Sequence, residues 1–167
     1  FEVTLAGDVE GGFELDYSTD DDMAEEADGD YQDNDSTLNF AGSDGEMIPV
    51  TVLVNHDTKV EADERFEVAL NAVSSGAAVI DAAITLGGPG VGTITNDDTA
   101  TLTIGDASVI EGDSGTTTLS FPIALSNPVD VNVSVDYETQ NGTATTADND
   151  YVPIPGATLT IDAGQTS

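Results

Sequence analysis

Between Asp20 and Asp35 the chain carries nine carboxylates in sixteen residues. A second dense run reads Asn55-His56-Asp57-Thr58-Lys59-Val60-Glu61-Ala62-Asp63-Glu64, and Asn96-Asp97-Asp98 and Ile110-Glu111-Gly112-Asp113 add shorter groups. Side chains bunched this way repel one another, since two unit charges about 4 Å apart cost roughly 4 kcal/mol at an effective dielectric of about 20. A multivalent cation reverses the sign. Calcium accepts about six to eight oxygens from carboxylates, carbonyls and water in a flexible shell, whereas magnesium requires a tighter octahedron and keeps its waters. An oxygen-only, loop-borne set of ligands therefore suits calcium.

Other chemistries lack their residues. There is no cysteine, hence no disulfide, thiolate nucleophile or cysteine zinc site. His56 is the only histidine and cannot form a histidine cluster, and Ser114 and Ser120 have no histidine nearby to activate them. Paired acids serve glycoside hydrolysis, but acid clusters repeated on small loops without aromatic platforms do not point there. The chain reads as non-enzymatic.

Charge narrows the partners. Asp and Glu number 33 against 2 Lys plus Arg, a formal net charge of -31, which opposes nucleic acid and anionic membrane as partners and favours cations. No apolar run is long enough to span a bilayer, so no direct membrane insertion is expected. Adaptation to high salt is the alternative reading of the charge, and the bunching of the acids weighs against it as the whole explanation. With 38% apolar residues the chain can still build cores.

The elements that position these acids emerge from an internal repeat. A shift of 120 residues aligns Phe1 with Phe121, Leu5 with Leu125, Val9 with Val129, Asp16-Tyr17-x-Thr19 with Asp136-Tyr137-x-Thr139, and Asp30-Tyr31 with Asp150-Tyr151. Eleven of the first 31 positions are identical under it. The chain thus holds a first copy, residues 1–98, without strand A, and a second, residues 99–167, with strands A to D only. Phe1 falls inside an expected strand, so the chain reads as a segment of a longer polypeptide.

Apolar residues alternate with period two in both copies, the mark of strands with one buried face. The first copy is predicted to form B at Phe1 to Leu5, C at Phe13 to Thr19, D at Thr37 to Phe40, E at Met47 to Val54, F at Arg65 to Asn71 and G at Val91 to Thr95. The second supplies A at Ala100 to Ile104, B at Thr117 to Leu125, C at Val129 to Thr139 and D at Thr158 to Ile161. No window has a convincing helical period, although Met23 to Ala27 could make one turn. Short strands separated by Gly, Asn, Asp and Pro predict an all-β fold of tandem, seven-stranded, immunoglobulin-like antiparallel sandwiches, both copies incomplete here. Up-and-down strands would bring the AB, CD and EF connections and the end of G to one end of a domain.

Four strings also carry a resemblance. Val109-Ile110-Glu111-Gly112-Asp113-Ser114-Gly115; Asp136-Tyr137-x-Thr139-x-x-Gly142-Thr143-Ala144 with Asp150-Tyr151; Glu61-x-x-Glu64-x-Phe66-x-Val68-x-Leu70; and Gly92-Thr93-Ile94-x-Asn96-Asp97-Asp98 resemble, in order and over nearly the entire chain, the Calx-beta family. That resemblance implies a sandwich used in exchanger regulatory loops and in tandem arrays of surface proteins. By position it implies calcium ligands at Asp30, Asp57, Glu61, Glu64, Asp97 and Asp98, with Asn96 beside them, and at Glu111 and Asp150 in the second copy. His56 stands where calcium-binding members often have an acid, and Thr58 interrupts the acidic run. The expected function is a calcium-binding repeat of an extracellular or cell-surface adhesin, stalk or filament. Its expected partners are calcium ions, neighbouring repeats of the same polypeptide, and other copies by strand addition at a sheet edge. A calcium-sensing module and an accessory domain of a secreted enzyme are the alternatives.

Overall fold

The computed structural model describes residues 1–167. Its strands are β1 (Glu2–Thr4), β2 (Phe13–Asp21), β3 (Tyr31–Gln32), β4 (Ser36–Phe40), β5 (Met47–Pro49), β6 (Leu53–Val54), β7 (Glu64–Ser74), β8 (Gly90–Ile94), β9 (Leu102–Ile104), β10 (Ile123–Leu125), β11 (Val133–Tyr137) and β12 (Ala157–Ile161). A 3-10 turn at Glu26–Asp28 and a single helical turn α1 (Ala78–Asp81) lie in connections. No helix is long and apolar enough to cross a membrane. The residues divide into two compact units, Phe1–Asp57 with Ala62–Thr95, and Thr58–Glu61 with Asn96–Ser167.

In the first unit β2 and β7 form the spine of an antiparallel sheet ordered β4-β2-β7-β8. Alternation builds it: Phe13, Leu15, Tyr17 and Thr19 of β2 are buried while Glu14 and Asp16 face out, and Phe66 and Val68 of β7 are buried in the same rhythm. Strand β1 pairs antiparallel with β5, and β3 with β6. The core gathers Leu5, Phe13, Leu15, Leu38, Phe40, Val50, Phe66 and Val68 around Tyr17, Ala24 and Tyr31. Phe13 stacks on Phe40 with ring centroids 4.9 Å apart.

Strand E differs from its prediction as one run over Met47 to Val54. It divides: β5 stays with β1, while β6 crosses to β3. Hydrogen bonding to the β1 chain runs past Pro49, the Val50 N–H donating to the Phe1 carbonyl at 2.9 Å and the Phe1 amino group to the Val50 carbonyl at 3.0 Å, and beyond it Asn34 Nδ2 takes the carbonyl of Thr51 at 2.7 Å. Sequence reading also missed α1, whose four residues are too few to show a period. Asp81 organises that turn by accepting both the N–H and the hydroxyl of Ser75 at 2.6 Å. The β1–β2 turn depends on Gly42, whose φ is +95° and whose Cβ, were there one, would sit 2.0 Å from the Val9 carbonyl. Glu46 closes the same region, accepting the N–H groups of Ala41 at 3.0 Å and Gly42 at 2.9 Å.

In the second unit β9 pairs with β10 and β11 with β12, both antiparallel. Predicted strands B and C shorten to β10 and β11, and Val131 is 63% exposed although it continues the alternation. Only Leu125 and Ile161 of this unit are buried apolar residues. These strands meet a single partner each, which leaves one edge without a ladder and little surface to cover their faces. Residues 58–61 join the unit through a parallel bridge between Val60 and Val129. The Val60 N–H donates to the Pro128 carbonyl at 2.9 Å, and the Asp130 N–H to the Val60 carbonyl at 3.0 Å.

Two predictions follow from this packing. Leu15, 3% exposed on the spine strand, should cost about 3 kcal/mol on truncation to Ala, read as a lower midpoint in urea unfolding. The Ala41 and Gly42 N–H groups hold the Glu46 carboxyl below its ordinary range. A depressed carboxylate contributes stability above its unfolded pKa, near pH 4, and loses it as pH falls through the folded value. Glu46→Gln should therefore be less stable than the parent at neutral pH. The gap should close in unfolding curves taken progressively below pH 4.

Candidate metal centre

Asp30 owes its position to the turn before it. The chain passes through the 3-10 turn to Gly29 at φ 91°, and the Asp30 side chain reaches back to accept the Glu25 N–H at 2.8 Å. Asp30 is only 8% exposed. Its carbonyl accepts the N–H of Asn55, and Asn55 Nδ2 donates to the Gly29 carbonyl at 2.6 Å. The loop is thereby tied to the start of the connection leading into β7. At the head of β7, the Arg65 carbonyl accepts N–H groups from Met23 at 2.9 Å and Ala24 at 2.8 Å, which holds the same loop beside Glu64.

Glu61 is fixed through its own backbone, its N–H donating to Asn96 Oδ1 at 3.1 Å. The Asn96 amide then donates to the Asp98 carbonyl at 3.0 Å. Lys59 Nζ lies 2.5 Å from Glu61 Oε1 and 2.9 Å from Asp130 Oδ1. Those two acceptors, Glu61 foremost, hold the ammonium well above the usual lysine range.

Asp30, Glu61 and Glu64 each place one carboxylate oxygen within 4.8 Å of the others. The spacing fits one ion. Oxygens at about 2.4 Å from calcium lie no more than about 4.8 Å apart. Asp30 is buried and the two glutamates are half-buried, so the ion would be partly desolvated by protein. Asp57 and Asp97 are exposed and Asp98 is half-buried, all three outside this group. Glu111 and Asp150 are exposed in the second unit and belong to no comparable group. Asn96 acts as a brace between Glu61 and Asp98, a role that only the folded chain reveals.

A second set of acids stands around Thr19 and Tyr31, and its hydrogen bonds assign it a different role. The Tyr31 hydroxyl donates to Asp21 Oδ1 at 2.5 Å, and the Glu26 N–H to the same oxygen at 3.0 Å. Thr19 donates its hydroxyl to Asp33 at 2.5 Å and its N–H to Asp35 at 3.1 Å. The Tyr31 hydroxyl, then the Glu26 N–H, keep the Asp21 carboxyl below its usual range, while burial first and Asp21 second push the Tyr31 phenol upward. The repeat shows which feature of Asp21 matters. In the second unit Tyr151 donates to Asn141 Oδ1 at 2.7 Å and the Thr146 N–H to the same atom at 3.1 Å. Asn141 lies 120 residues after Asp21, so this post requires an acceptor oxygen and no charge. Aligning the copies pairs Asp21 with Asn141 from sequence, and that was the available signal.

An all-β chain of two sandwich-type units, with an oxygen-only acid group set by loop turns, defines a class of small cation-binding modules. The Calx-beta domain model matches residues 1–108 and again residues 95–167. The chain belongs to the Calx-beta family. Among solved structures it is similar to the calcium binding domain CBD12 of CALX1.1, at 23% identity and a TM-score of 0.48, over 99% of this chain and 65% of that one. The chain therefore spans about two thirds of that structure's length. No curated protein matches it.

The Asp21 reading is tested by two substitutions. Asp21→Asn should melt close to the parent, because Asn141 already performs the same task in the second copy. Asp21→Ala should melt lower, because the buried end of Tyr31 then loses its acceptor.

Proposed function

We propose that this chain is a calcium-binding structural repeat of a large extracellular adhesin, stalk or filament protein. The observation that carries the reading is the convergence of Asp30, Glu61 and Glu64 within 4.8 Å, in a chain that the Calx-beta domain model matches twice. In this reading the three carboxylates are the first ligands, and Asp57, Asp97 and Asp98 supply further oxygens from the neighbouring connections. Glu111 and Asp150 serve the second copy. The ion's contribution is charge: it converts a repulsive group of carboxylates into a cross-link between loops that are distant in sequence. No step of catalysis is assigned to it.

The position of these ligands favours a rigidifying role. Glu61 is held on a segment that itself bonds to Asn96, Pro128 and Asp130, and this reading assigns the ions the stiffening of loops and of junctions between repeats. Solenoid-like arrays gain stiffness from each junction so restrained. Neighbouring repeats, and other copies by strand addition at open sheet edges, are the partners this reading assigns. A cell-surface or extracellular setting agrees with extracellular calcium modules, whose sites work at about 0.1 to 1 mM.

Calorimetric titration with calcium, paired with thermal unfolding at fixed ionic strength, tests the reading. At calcium about 100-fold above Kd each site should add about 2.7 kcal/mol, seen as a higher Tm that chelation reverses. Asp30→Asn or Glu64→Gln should abolish most of that gain. An equal gain from sodium chloride alone would identify a salt-adapted sandwich instead. A sharp change in hydrodynamic size across a narrow calcium range would identify a sensor.

A further inference from the structure

Of the nine asparagines in the chain, Asn141 is the only one followed by glycine. Asn39 and Asn71 lie inside strands, and Asn127 precedes Pro128, which has no N–H. Asn141 and Gly142 lie in the second unit's loop between β11 and β12, and both are exposed. A glycine has no Cβ to crowd the approach of its own amide nitrogen to the side chain before it. The Gly142 N–H makes a long local bond, to the Ala144 carbonyl at 3.2 Å. The side-chain oxygen of Asn141 is held more firmly, accepting the Tyr151 hydroxyl at 2.7 Å and the Thr146 N–H at 3.1 Å. One residue thus combines an uncrowded neighbouring nitrogen, an amide carbon polarised by two donors, and open access for water.

We propose that Asn141 is a self-modifying site, at which the Gly142 amide nitrogen displaces the side-chain amide as ammonia and water then leaves an aspartate in place of the asparagine. In the first step the Gly142 nitrogen bonds to Cγ of Asn141 and the bond from Cγ to Nδ2 breaks. The proton lost by Gly142 passes through solvent to the departing ammonia, and a five-membered imide remains. In the second step water adds to Cγ, the bond from Cγ to the Gly142 nitrogen breaks, and that nitrogen recovers a proton. The net change consumes one water, releases one ammonia and adds one carboxylate. Opening at the main-chain carbon instead would give isoaspartate, with an extra methylene in the backbone. Tyr151 and Thr146 direct the outcome, because donors aimed at the side-chain oxygen stabilise the charge that develops there as water adds to Cγ. The fold has a place for the product. In the first copy Asp21, 120 residues earlier, accepts the Tyr31 hydroxyl and the Glu26 N–H through one carboxylate oxygen, and charge strengthens such bonds. The reaction therefore gives the second copy the acid that the first copy encodes.

The test ages the whole chain in mildly alkaline buffer and follows it by peptide mapping with mass spectrometry, with aspartate and isoaspartate separated. The mass gain of an amide-to-acid exchange should collect in the peptide holding Asn141, at a rate that rises with pH, and aspartate should be a larger share of the product than in the same chain aged in guanidinium chloride. Gly142→Ala should slow the exchange about tenfold, equivalent to about 1.4 kcal/mol of barrier. It should keep the parent's Tm, since a Cβ at Gly142 would meet nothing within 4 Å. Tyr151→Phe should shift the product toward isoaspartate. Asn141→Asp should melt close to the parent. An Asn141 peptide that ages no faster than in Gly142→Ala overturns the inference, as does a product ratio that neither folding nor Tyr151→Phe changes. The calcium reading stands or falls separately, because none of these measurements involves the metal centre.

Discussion

Tyr31 and Phe66 stack with ring centroids 4.6 Å apart and planes 20° from parallel, both nearly excluded from water, and the placement of the metal centre follows from that contact. Asp30 immediately precedes one ring. Glu64 stands two residues before the other, on the same face of β7. Seating Tyr31 on Phe66 therefore carries the acid loop to the head of β7 as a geometric consequence, with dispersion and apolar burial as the driving force. Gly92 makes the seat possible. It pairs across the ladder with Phe66, and a Cβ there would fall 2.5 Å from the ring. The glycine of the Gly92-Thr93-Ile94 string thus has a packing reason, and it belongs to the same arrangement that brings Asp30 beside Glu64.

Packing has to work against charge, and much of the acid in this chain is absorbed locally. Carboxylates accept backbone N–H groups at the turns: Asp44 from Gly7 at 2.7 Å, Asp8 from Asp44 at 3.0 Å, Glu46 from Ala41 and Gly42, and Asp30 from Glu25. Each such bond supplies positive partial charge where no lysine or arginine is at hand. With two basic side chains against 33 acids, main-chain donors are the principal internal counterweight. A large part of the acidity is accordingly loop-capping chemistry. The acids at the metal centre differ in being directed at one another.

The strands were legible in the sequence because burial on one face imposes period two, which β2 shows from Phe13 to Thr19 and β7 from Glu64 to Val68, before the register shift opposite Asp16 and Tyr17. Expectations weakened where other rules decided. Strand E divides after Val50, where the Asn34 side chain takes the Thr51 carbonyl and the chain crosses to β3, although the alternation of Ile48, Val50 and Val52 continues. In β11 the pattern is present but Tyr137 is 37% exposed, since periodicity records which face can be buried and not whether anything covers it. The acids of the metal centre were nominated by type and order. Their selection into Asp30, Glu61 and Glu64 required the folded loops, because Asp57, Asp97 and Asp98 have the same chemistry and differ only in where the backbone leaves them. The ion pair of Lys59 with Asp130 could not be read from sequence, the two residues lying 71 positions apart.

The two copies together separate what folds the loop from what charges it. Asp150 accepts the Thr145 N–H at 2.8 Å as Asp30 accepts that of Glu25, and Thr158 donates to Asp136 at 2.6 Å as Thr37 donates to Asp16. Asn149, at φ 63°, takes the left-handed post that Gly29 takes at 91°, a conformation Asn tolerates better than most residues. The same loop is thus built twice. In the second copy it contains Thr145 and Thr146 where the first has Glu25 and Glu26, and Gln140-Asn141-Gly142 where the first has Asp20-Asp21-Asp22. A conformation reached without those carboxylates does not depend on their charge. Asp30 and Asp150 remain as acids at a post where the hydrogen bond from the turn would be served by a neutral oxygen as well, and it is there that negative charge has a use beyond folding.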